Sequence, residues 1–316
     1  MLPDGRRLGA HLPLAPGMVK AIDRAQTIGA SAIQIFSDNP TAWRRRREPS
    51  PQLTRFRERA AELDIQPIAI HASYLVNLPG PDTTTFERSV TMLAGELAGA
   101  AGFGARYVNV HIGSHRGTGV GTGIGRLVDG IEAVIARAGE EGSATTLVLE
   151  NSAGGGGGLG TSLEELASIA DRLGARGIDR SAVAFCLDAA HAWGAGIDVG
   201  DPDAIDAFVD GFDARIGLDR LVMVHLNDTR SAFASRTDLH EHLGAGRIPA
   251  IGLAHLVRHP RLIGATYILE TPGMDVGYDK VNMERARALW AGRPLRRLPK
   301  AAFQLSGSAR GRMAPA

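Results

Sequence analysis

Eight short runs of β-forming residues alternate along the chain with segments of helical periodicity, and each gap between two runs has room for one helix and two loops. The β-rich runs cover 9–14, 32–36, 67–73, 107–113, 146–151, 183–188, 223–228 and 267–272. The helical segments cover 17–29, 52–63, 84–102, 124–139, 162–173, 202–214, 249–258 and 281–291. This alternation predicts an α/β protein with a parallel sheet. Eight units is the number that closes a (β/α)8 TIM barrel, and the alternative is an open, doubly wound sheet.

A single barrel accounts for nearly the whole chain. The length of 316 residues would allow two domains, but one barrel of this type commonly fills about 250 residues or more. We therefore predict one barrel domain over residues 1–293 and a basic, loosely ordered tail over 294–316. Hydrophobic residues make up 44% of the chain and charged residues 22%, which excludes disordered, fibrous and membrane-spanning proteins. The net charge of +1, taken alone, argues against a nucleic-acid binder.

The cysteine content and the first residues bear on the cellular compartment. Cys186 is the only cysteine, so no internal disulfide can form, which suits a reducing cytosol. The first residues lack the apolar stretch of a signal peptide, and no uncharged apolar stretch reaches about 18 residues. We therefore expect a cytoplasmic protein with no membrane contact.

The β-rich runs end in an unusual set of side chains. Six consecutive runs, from the third to the eighth, carry a histidine or a carboxylate near their C-terminal ends, and three more such residues follow shortly after a run. In chain order these residues are His71, His111, Glu150, Asp188, His191, His225, Asp238, His240 and Glu270. In a barrel, the C-terminal ends of the strands converge on one face, where active sites lie.

Five imidazoles and four carboxylates on one rim indicate bound metal. A single histidine or carboxylate at a strand end usually makes a core hydrogen bond, caps a helix or forms an ion pair, but six in successive strands are hard to explain in this way. Four buried carboxylates would repel one another unless cations neutralised them. Imidazole and carboxylate without thiolate suit Zn²⁺ or Mn²⁺ in a catalytic site. We also expect His115 and Asn227 to orient ligands of this centre.

Eight segments of the chain match, in order, the pattern of a known family. They are GAH (9–11), IHASYLVNL (70–78), NVHIGSH (109–115), LENSAG (149–154), CLDAAHAWGAGID (186–198), HLND (225–228), SRTDLHEHLGAGRI (235–248) and ILETP (268–272). Together they resemble the endonuclease IV family of apurinic/apyrimidinic endonucleases, also called deoxyribonuclease IV. The segments span about 265 residues, so the resemblance covers most of the chain.

The resemblance implies a (β/α)8 barrel that holds three Zn²⁺ ions, with Mn²⁺ acceptable at some sites. One zinc would be held by His71, His111 and Glu150. A second would be held by Glu150, Asp188, His225 and Glu270, so that Glu150 bridges two ions. A third would be held by His191, Asp238 and His240. All nine ligand positions are intact in this sequence.

The resemblance also implies an activity. The reaction is hydrolysis of the phosphodiester 5′ to an abasic site in duplex DNA, which leaves a 3′-hydroxyl, and the same site clears blocked 3′ ends. Bound metal ions would stabilise the charge that develops in the transition state, and Glu150 would orient the attacking hydroxide as the candidate catalytic residue. The expected partner is therefore damaged duplex DNA, bound by a monomer that is cytoplasmic and associates with the nucleoid when on DNA.

Two loops carry the residues that the resemblance places near DNA. Tyr74 and Leu75 match family residues expected at the gap left by a flipped-out nucleotide. In the loop after the second run the family often reads Lys-Asn-Pro-Arg-Gln-Trp, whereas residues 38–43 here read Asp-Asn-Pro-Thr-Ala-Trp, which keeps Asn39 and Trp43. Four arginines follow, namely Arg44, Arg45, Arg46 and Arg47. We expect them to supply the phosphate contacts, with a solvated loop or helix start as the alternative.

Two other functions fit parts of the pattern. Sugar isomerases and epimerases of the xylose-isomerase-like barrels use Glu, Asp, His and Glu from four strands, which Glu150, Asp188, His225 and Glu270 would supply. That interpretation leaves the other five predicted ligands without a role, and it predicts one or two metal ions per chain. The altered loop at 38–43 leaves open a paralogue that binds lesions without cutting DNA.

Overall fold

The computed structural model describes residues 1–44 and 50–305. Its strands are β1 (Leu8–His11), β2 (Ala32–Ile35), β3 (Ile68–His71), β4 (Ala105–His111), β5 (Thr146–Glu150), β6 (Val183–Asp188), β7 (Leu221–His225), β8 (Asp228–Thr229), β9 (His240–Glu241) and β10 (Thr266–Leu269). Its α-helices are α1 (Met18–Thr27), α2 (Leu53–Glu62), α3 (Thr83–Phe103), α4 (Val120–Gly142), α5 (Leu163–Ala175), α6 (Ala189–Ala195), α7 (Pro202–Arg215), α8 (Ala250–Arg258) and α9 (Tyr278–Trp290).

Eight of these strands close into a parallel barrel. Around the barrel, β1 to β7 follow in chain order, and β10 completes the circle by pairing with both β7 and β1. The helices lie between successive strands, as short crossover connections in a parallel sheet require. The (β/α)8 barrel predicted from the sequence is therefore confirmed, and the open sheet is excluded.

Side chains alternate between the outside and the inside of the barrel along each strand. Outward residues such as Ile33, Ile70 and Leu149 are fully buried in the core between the strands and the helices. Inward residues form a separate apolar cluster of Ala32, Ala69, Tyr107, Val148, Ala184, Cys186, Met223 and Ile268. A Cβ at Gly9 would lie 2.1 Å from the carbonyl oxygen of Ala32, so the close approach of β1 to β2 requires glycine at this position.

Two elements were not predicted from the sequence, and both lie above the C-terminal ends of the strands. Helix α6 follows β6 directly, because the Asp188 carboxylate caps it by accepting a hydrogen bond from the His191 amide at 2.8 Å. The antiparallel pair of β8 and β9 lies between β7 and α8, with Thr229 opposite His240. These additions carry His191 and His240 to the mouth of the barrel.

The segment after α9 lies against the barrel. Residues Lys300–Phe303 form a 3-10 turn, and the buried Ala302 accepts a hydrogen bond at its carbonyl oxygen from His242 at 3.0 Å. Residues 294–305 thus make defined contacts, whereas the sequence alone predicts a loosely ordered tail from residue 294. Residues 306–316 of that tail lie outside the described residues. Over the described ranges, no helix is both long and apolar enough to span a lipid bilayer.

Candidate metal centre

The alternation that builds the apolar interior also directs polar side chains into the mouth of the barrel. Two residues beyond Ala69 and Val148 on the same strand faces stand His71 and Glu150. The strand register then places His111 beside Glu150 and Asp188 beside His225. The strand-end residues predicted from the sequence therefore come together in one cluster.

Glu150 lies at the centre of the first group of candidate ligands. Its buried carboxylate places Oε2 at 3.7 Å from Nε2 of His71, and Oε1 at 3.7 Å from Nε2 of His111. Oε2 accepts a hydrogen bond from the Asn109 amide at 2.5 Å, whereas Oε1 has no hydrogen-bond partner. The ligand atoms of His71, His111 and Glu150 lie within 4.8 Å of one another, which suits a shared cation.

The second group surrounds one nitrogen of His225. Its Nδ1 lies 3.4 Å from Glu150 Oε1, 3.3 Å from Glu270 Oε2 and 3.6 Å from Asp188 Oδ2. The opposite nitrogen, Nε2, donates a hydrogen bond to Gln34 Oε1 at 3.1 Å. In the neutral ring, Nδ1 is then unprotonated and carries a free lone pair. A buried lone pair facing three carboxylate oxygens is stable only if a proton or a cation lies between them. This donor set fits a divalent metal ion.

The third group is supplied by α6 and by the segment that leads into β9. Asp238 bridges two histidines, with Oδ2 at 3.1 Å from Nε2 of His191 and Oδ1 at 3.0 Å from Nε2 of His240. Asp238 Oδ1 and His240 Nε2 are buried and form no hydrogen bond despite this proximity. Asp188 Oδ2 lies 3.8 Å from the same His240 nitrogen, so Asp188 borders both the second and the third group.

Three of the histidines contact a backbone carbonyl through Nδ1, and in His191 this nitrogen also lies 3.1 Å from Glu150 Oε1. His71, His191 and His240 use Nδ1 to contact the carbonyl oxygens of Ala72, Asn151 and Glu270 at 2.7, 2.9 and 2.8 Å. Each Nε2 is thereby left free to bind a metal, and such contacts are the usual support of metal-bound histidines. Nitrogen and oxygen donors of this kind suit Zn²⁺ or Mn²⁺.

The charges in the cluster shift the pKa values of its members. Burial disfavours the charged form of His240, but Asp238 outweighs burial and raises the pKa to about 10. Burial likewise opposes ionisation of Glu150, yet the imidazoles of His225 and His111 hold its pKa well below 4.5. Burial and the neighbouring His111 lower the pKa of His71 to about 4. Without metal, imidazolium ions compensate the carboxylates, and divalent ions would replace those protons.

Cys186 also borders the cluster, with Sγ within 4.8 Å of the ligand atoms of Glu150 and His225. Burial raises the pKa of the Cys186 thiol to about 12, so the side chain is a neutral thiol at neutral pH. Because metals bind the thiolate, this residue belongs to the apolar interior and not to the ligand set.

Amide side chains fix the orientation of the carboxylates. The Asn227 side chain donates a hydrogen bond to Asp188 Oδ2 at 2.6 Å and accepts one from the backbone amide of Glu270 at 2.8 Å. Gln34 donates to Glu270 Oε1 at 2.6 Å and contacts Nδ1 of His11 at 3.1 Å. Gln34, His11 and Asn109 are not among the residues predicted from the sequence, although each stands on the inward face of its strand.

His115 has a different position from the one predicted. Its Nδ1 accepts hydrogen bonds from the amides of Gly117 and Gly119, at 3.2 and 3.1 Å. A Cβ at Gly157 would lie 3.2 Å from its ring, so the glycine-rich loop also packs against it. His115 therefore orders the loop before α4, and its hydrogen bonds reach none of the nine predicted ligands.

A groove of about 580 Å³ extends from the third metal group along the rim. Tyr74, Leu75, Arg236 and Asp238 are among the residues that line it. The Tyr74 ring lies 5.6 and 6.0 Å from the rings of His71 and His111, which places it at the edge of the first metal group. Contact of Tyr74 and Leu75 with DNA stays a prediction.

The loop after β2 approaches the same rim through Pro40, whose carbonyl oxygen accepts hydrogen bonds from the Tyr74 amide and the Ser73 hydroxyl. Asn39 is exposed, and its side-chain oxygen accepts hydrogen bonds from the backbone amide and the hydroxyl of Thr41. The Asn39 side chain therefore stabilises the turn. Trp43 packs partly on the core, with the Arg88 guanidinium 6.0 Å from its ring centre. Arg44 is exposed. The remaining predicted phosphate contacts, Arg45, Arg46 and Arg47, lie outside the described residues.

Known proteins resemble this chain over most of its length. Residues 22–298 match the family model described as "Xylose isomerase-like TIM barrel". A protein of Halothermothrix orenii named "Probable endonuclease 4" is 36% identical over 282 residues, which cover 88% of this chain and 99% of the relative. A protein of Natranaerobius thermophilus with the same name is 35% identical and covers 89% of this chain and 96% of the relative.

Solved structures give the same assignment. The endonuclease IV of Thermus thermophilus superposes with a TM-score of 0.78 at 36% identity, covering 90% of this chain and 99% of that one. A D-tagatose 3-epimerase-like protein superposes with a TM-score of 0.62 at 19% identity, which shows a shared barrel fold alone. From its sequence, its fold and the residues gathered in its barrel mouth, the chain belongs to the endonuclease IV family.

Proposed function

We propose that this protein is a DNA-repair endonuclease that hydrolyses the phosphodiester 5′ to abasic sites in duplex DNA. Water adds to the phosphorus atom and the bond to the 3′-oxygen breaks, which leaves a 3′-hydroxyl on one side and a 5′-phosphate on the abasic residue. Removal of blocked 3′ ends is the same hydrolysis at a strand terminus. Membership of the endonuclease IV family supports this activity.

The main support for the proposal is that the three groups of candidate ligand atoms adjoin one another. Glu150 lies between the first and second groups, and Asp188 lies between the second and third. The first two groups meet at Glu150, whose Oε1 lies 3.7 Å from Nε2 of His111 in the first group and 3.4 Å from Nδ1 of His225 in the second. The third group meets the second at Asp188. Three Zn²⁺ ions, one per group, would satisfy the buried atoms that have no hydrogen-bond partner. When bound, such ions supply concentrated positive charge that activates water at neutral pH and stabilises charge on phosphate oxygens.

The chain's own residues hold this arrangement in place before substrate arrives. Asn109 fixes one oxygen of Glu150 and leaves the other facing the histidines, so Glu150 can orient the attacking water and retain its negative charge. Gln34 and Asn227 fix Glu270 and Asp188 in the same way. A preorganised site of this kind needs no reorganisation when the transition state forms.

The groove beside the centre is suited to a duplex whose abasic nucleotide has turned outward. Tyr74 and Leu75 stand at the edge of the groove, where they can fill the space that the nucleotide leaves in the stack. Arg236 also lines the groove, and its exposed side chain is suited to a phosphate oxygen. We further propose that the enzyme acts as a monomer in the cytoplasm.

The decisive experiment is incision of a duplex that carries one tetrahydrofuran abasic analogue. Zinc-loaded protein should convert the labelled strand to a single shorter product with a 3′-hydroxyl that a polymerase extends. Glu150→Gln should lower the rate by about a hundredfold or more, whereas Glu132→Gln, on the exposed face of α4, should leave it unchanged. Absence of incision, or incision that is indifferent to Glu150→Gln, would overturn the proposal.

Metal content separates the nuclease from the sugar isomerases of similar fold. Elemental analysis of zinc-loaded protein should give about three ions per chain, and a value of one or two would favour an isomerase. A lesion-binding paralogue would bind the abasic duplex without cutting it, so the incision assay addresses that alternative.

The four arginines at 44–47 have a separate test. Replacing all four with alanine should weaken duplex binding and reduce the slope of log K against log salt concentration, by about 0.9 for each phosphate that the protein no longer neutralises. Unchanged affinity and slope would show that these side chains are solvated and do not contact DNA.

A further inference from the structure

The chain continues past the region that matches its family, and the continuation packs against a loop that carries metal ligands. The family match ends at residue 298. We call residues 295–305 the C-terminal strap and residues 238–245 the ligand loop, because the latter contains Asp238 and His240. The 3-10 turn Lys300–Phe303 lies within the strap.

His242 connects the strap to the ligand loop. Its side chain is fully buried, and its Nδ1 accepts a hydrogen bond from the Asn282 amide of α9 at 3.0 Å. The ring proton therefore resides on Nε2, which donates to the carbonyl oxygen of Ala302 at 3.0 Å. Phe303 covers the same ring edge-on, with 6.0 Å between the ring centres. The strap thus satisfies and covers a histidine that stands two residues after His240.

The next residues of the ligand loop also contact the strap. Arg285 of α9 donates to the carbonyl oxygens of Leu243 and Arg296, which ties the loop to the strap through one guanidinium. A Cβ at Gly244 would lie 2.1 Å from Cδ1 of Leu295, so these two residues are in close contact. The strap and α9 together cover three consecutive residues of the loop, 242–244.

The ligand loop is also tied to β8, which pairs with β9 inside the loop and binds the residues that follow it. Asp228 in β8 accepts hydrogen bonds from the amides of Gly246 and Ile248, at 2.8 and 3.1 Å. His240 itself is fixed through Nδ1 to the Glu270 carbonyl. The ligand loop is therefore clamped between the barrel and a segment that extends beyond the family match.

We propose that the C-terminal strap, acting through His242, positions Asp238 and His240 for the third metal ion. The proposal rests on the three-metal function proposed above. Loss of the strap would allow residues 242–244 to move outward and take His240 with them. The first and second metal groups would be unaffected, because the strap contacts none of their ligands over the described residues.

Selective loss of one metal ion tests the proposal. Zinc-loaded full-length protein, a chain ending at Leu298 and a control chain ending at Leu305 are each titrated with a coloured zinc chelator. The chain ending at Leu298 should bind one of its three zinc ions about tenfold more weakly, at the lower end of the effect of removing a group that supports a ligand. The control chain should match the full-length protein. Equal retention of all three ions by every chain would overturn the proposal.

Point variants keep the test decisive if the shortened chain does not fold. His242→Phe keeps a ring but removes both hydrogen bonds, and it should weaken the same single ion. His242→Gln retains a donor and an acceptor, so it should restore most of the affinity. Glu132→Gln, on the exposed face of α4, is the control. A fall in melting temperature without selective loss of one ion would show that the strap only stabilises the fold. Failure of the full-length protein to bind three ions would count against the proposed function instead.

Discussion

Gln34 offers the sharpest test of how the centre is held. The substitution Gln34→Leu keeps the approximate shape of the side chain and removes all its hydrogen bonds. Three buried atoms then lose a partner, namely Nε2 of His225, Oε1 of Glu270 and Nδ1 of His11. Each unsatisfied buried polar group costs about 1–3 kcal/mol. Since some of this loss is recovered by local movement, we expect the metal-free protein to lose about 3–5 kcal/mol of unfolding free energy.

The same substitution should lower the affinity of the second group for its metal ion. Gln34 Oε1 accepts a hydrogen bond from Nε2–H of His225, which keeps the lone pair of Nδ1 directed at the three carboxylates. Removal of a group that fixes a ligand in this way commonly costs 10- to 100-fold in metal affinity, roughly. Denaturant unfolding of the metal-free protein and chelator competition on the zinc-loaded protein measure the two effects separately.

Gln26→Leu is the matched control, because Gln26 is exposed on α1 and far from the barrel mouth. It should change neither the unfolding midpoint nor the metal affinity. If Gln34→Leu also leaves both quantities at their wild-type values, the hydrogen bonds of Gln34 do not hold His225 and Glu270 in place, and the reasoning is wrong.

Three other predictions concern packing, thiol reactivity and pH. Gly9→Ala should lower the melting temperature, because the new Cβ would clash with the Ala32 carbonyl. Gly99→Ala on α3 is the control: its Cβ would meet nothing within 4 Å, and it should stabilise the helix by about 1 kcal/mol. Equal effects of the two substitutions would contradict the packing argument. Cys186 should resist a thiol reagent at pH 8 in the folded protein and react once the chain is unfolded, since burial raises its pKa to about 12. The raised pKa of His240 means that its ion pair contributes fully below pH 6.5 and is lost as the pH rises towards about 10. Thermal melts of the metal-free protein should therefore show falling stability over that interval, and a rise there would refute the assignment.

The cluster of candidate metal ligands could be predicted from the sequence because the placement of these residues depends on local pattern. In a barrel strand, a residue two positions from an inward apolar side chain also faces inward, so His71 and Glu150 follow from Ala69 and Val148. Closure of the barrel then brings all the strand ends to one face, whatever the helices and loops do. Six successive strands with polar ends were therefore sufficient to predict the cluster.

The supporting residues could not be predicted in the same way, because their partners lie far away along the chain. Gln34 bonds Glu270, and their proximity depends on how β10 closes against β1 and β2. For His115, closeness along the chain was misleading. It lies four residues after His111, which suggested a role at the metal centre. A turn after β4 instead directs its ring to the amides of Gly117 and Gly119.

The net charge of +1 is a poor guide to the surface that DNA would meet. The four carboxylates of the centre count against the arginines in that sum, yet they lie in the barrel mouth and are paired with imidazoles. Three divalent ions bound there would add about six positive charges to one face of the molecule. Elsewhere, exposed pairs such as Arg176 with Asp129 cancel locally. Because a phosphate backbone responds to the potential within a Debye length, about 10 Å at 0.1 M salt, the charge of the loaded rim decides DNA binding and the sum over the chain does not.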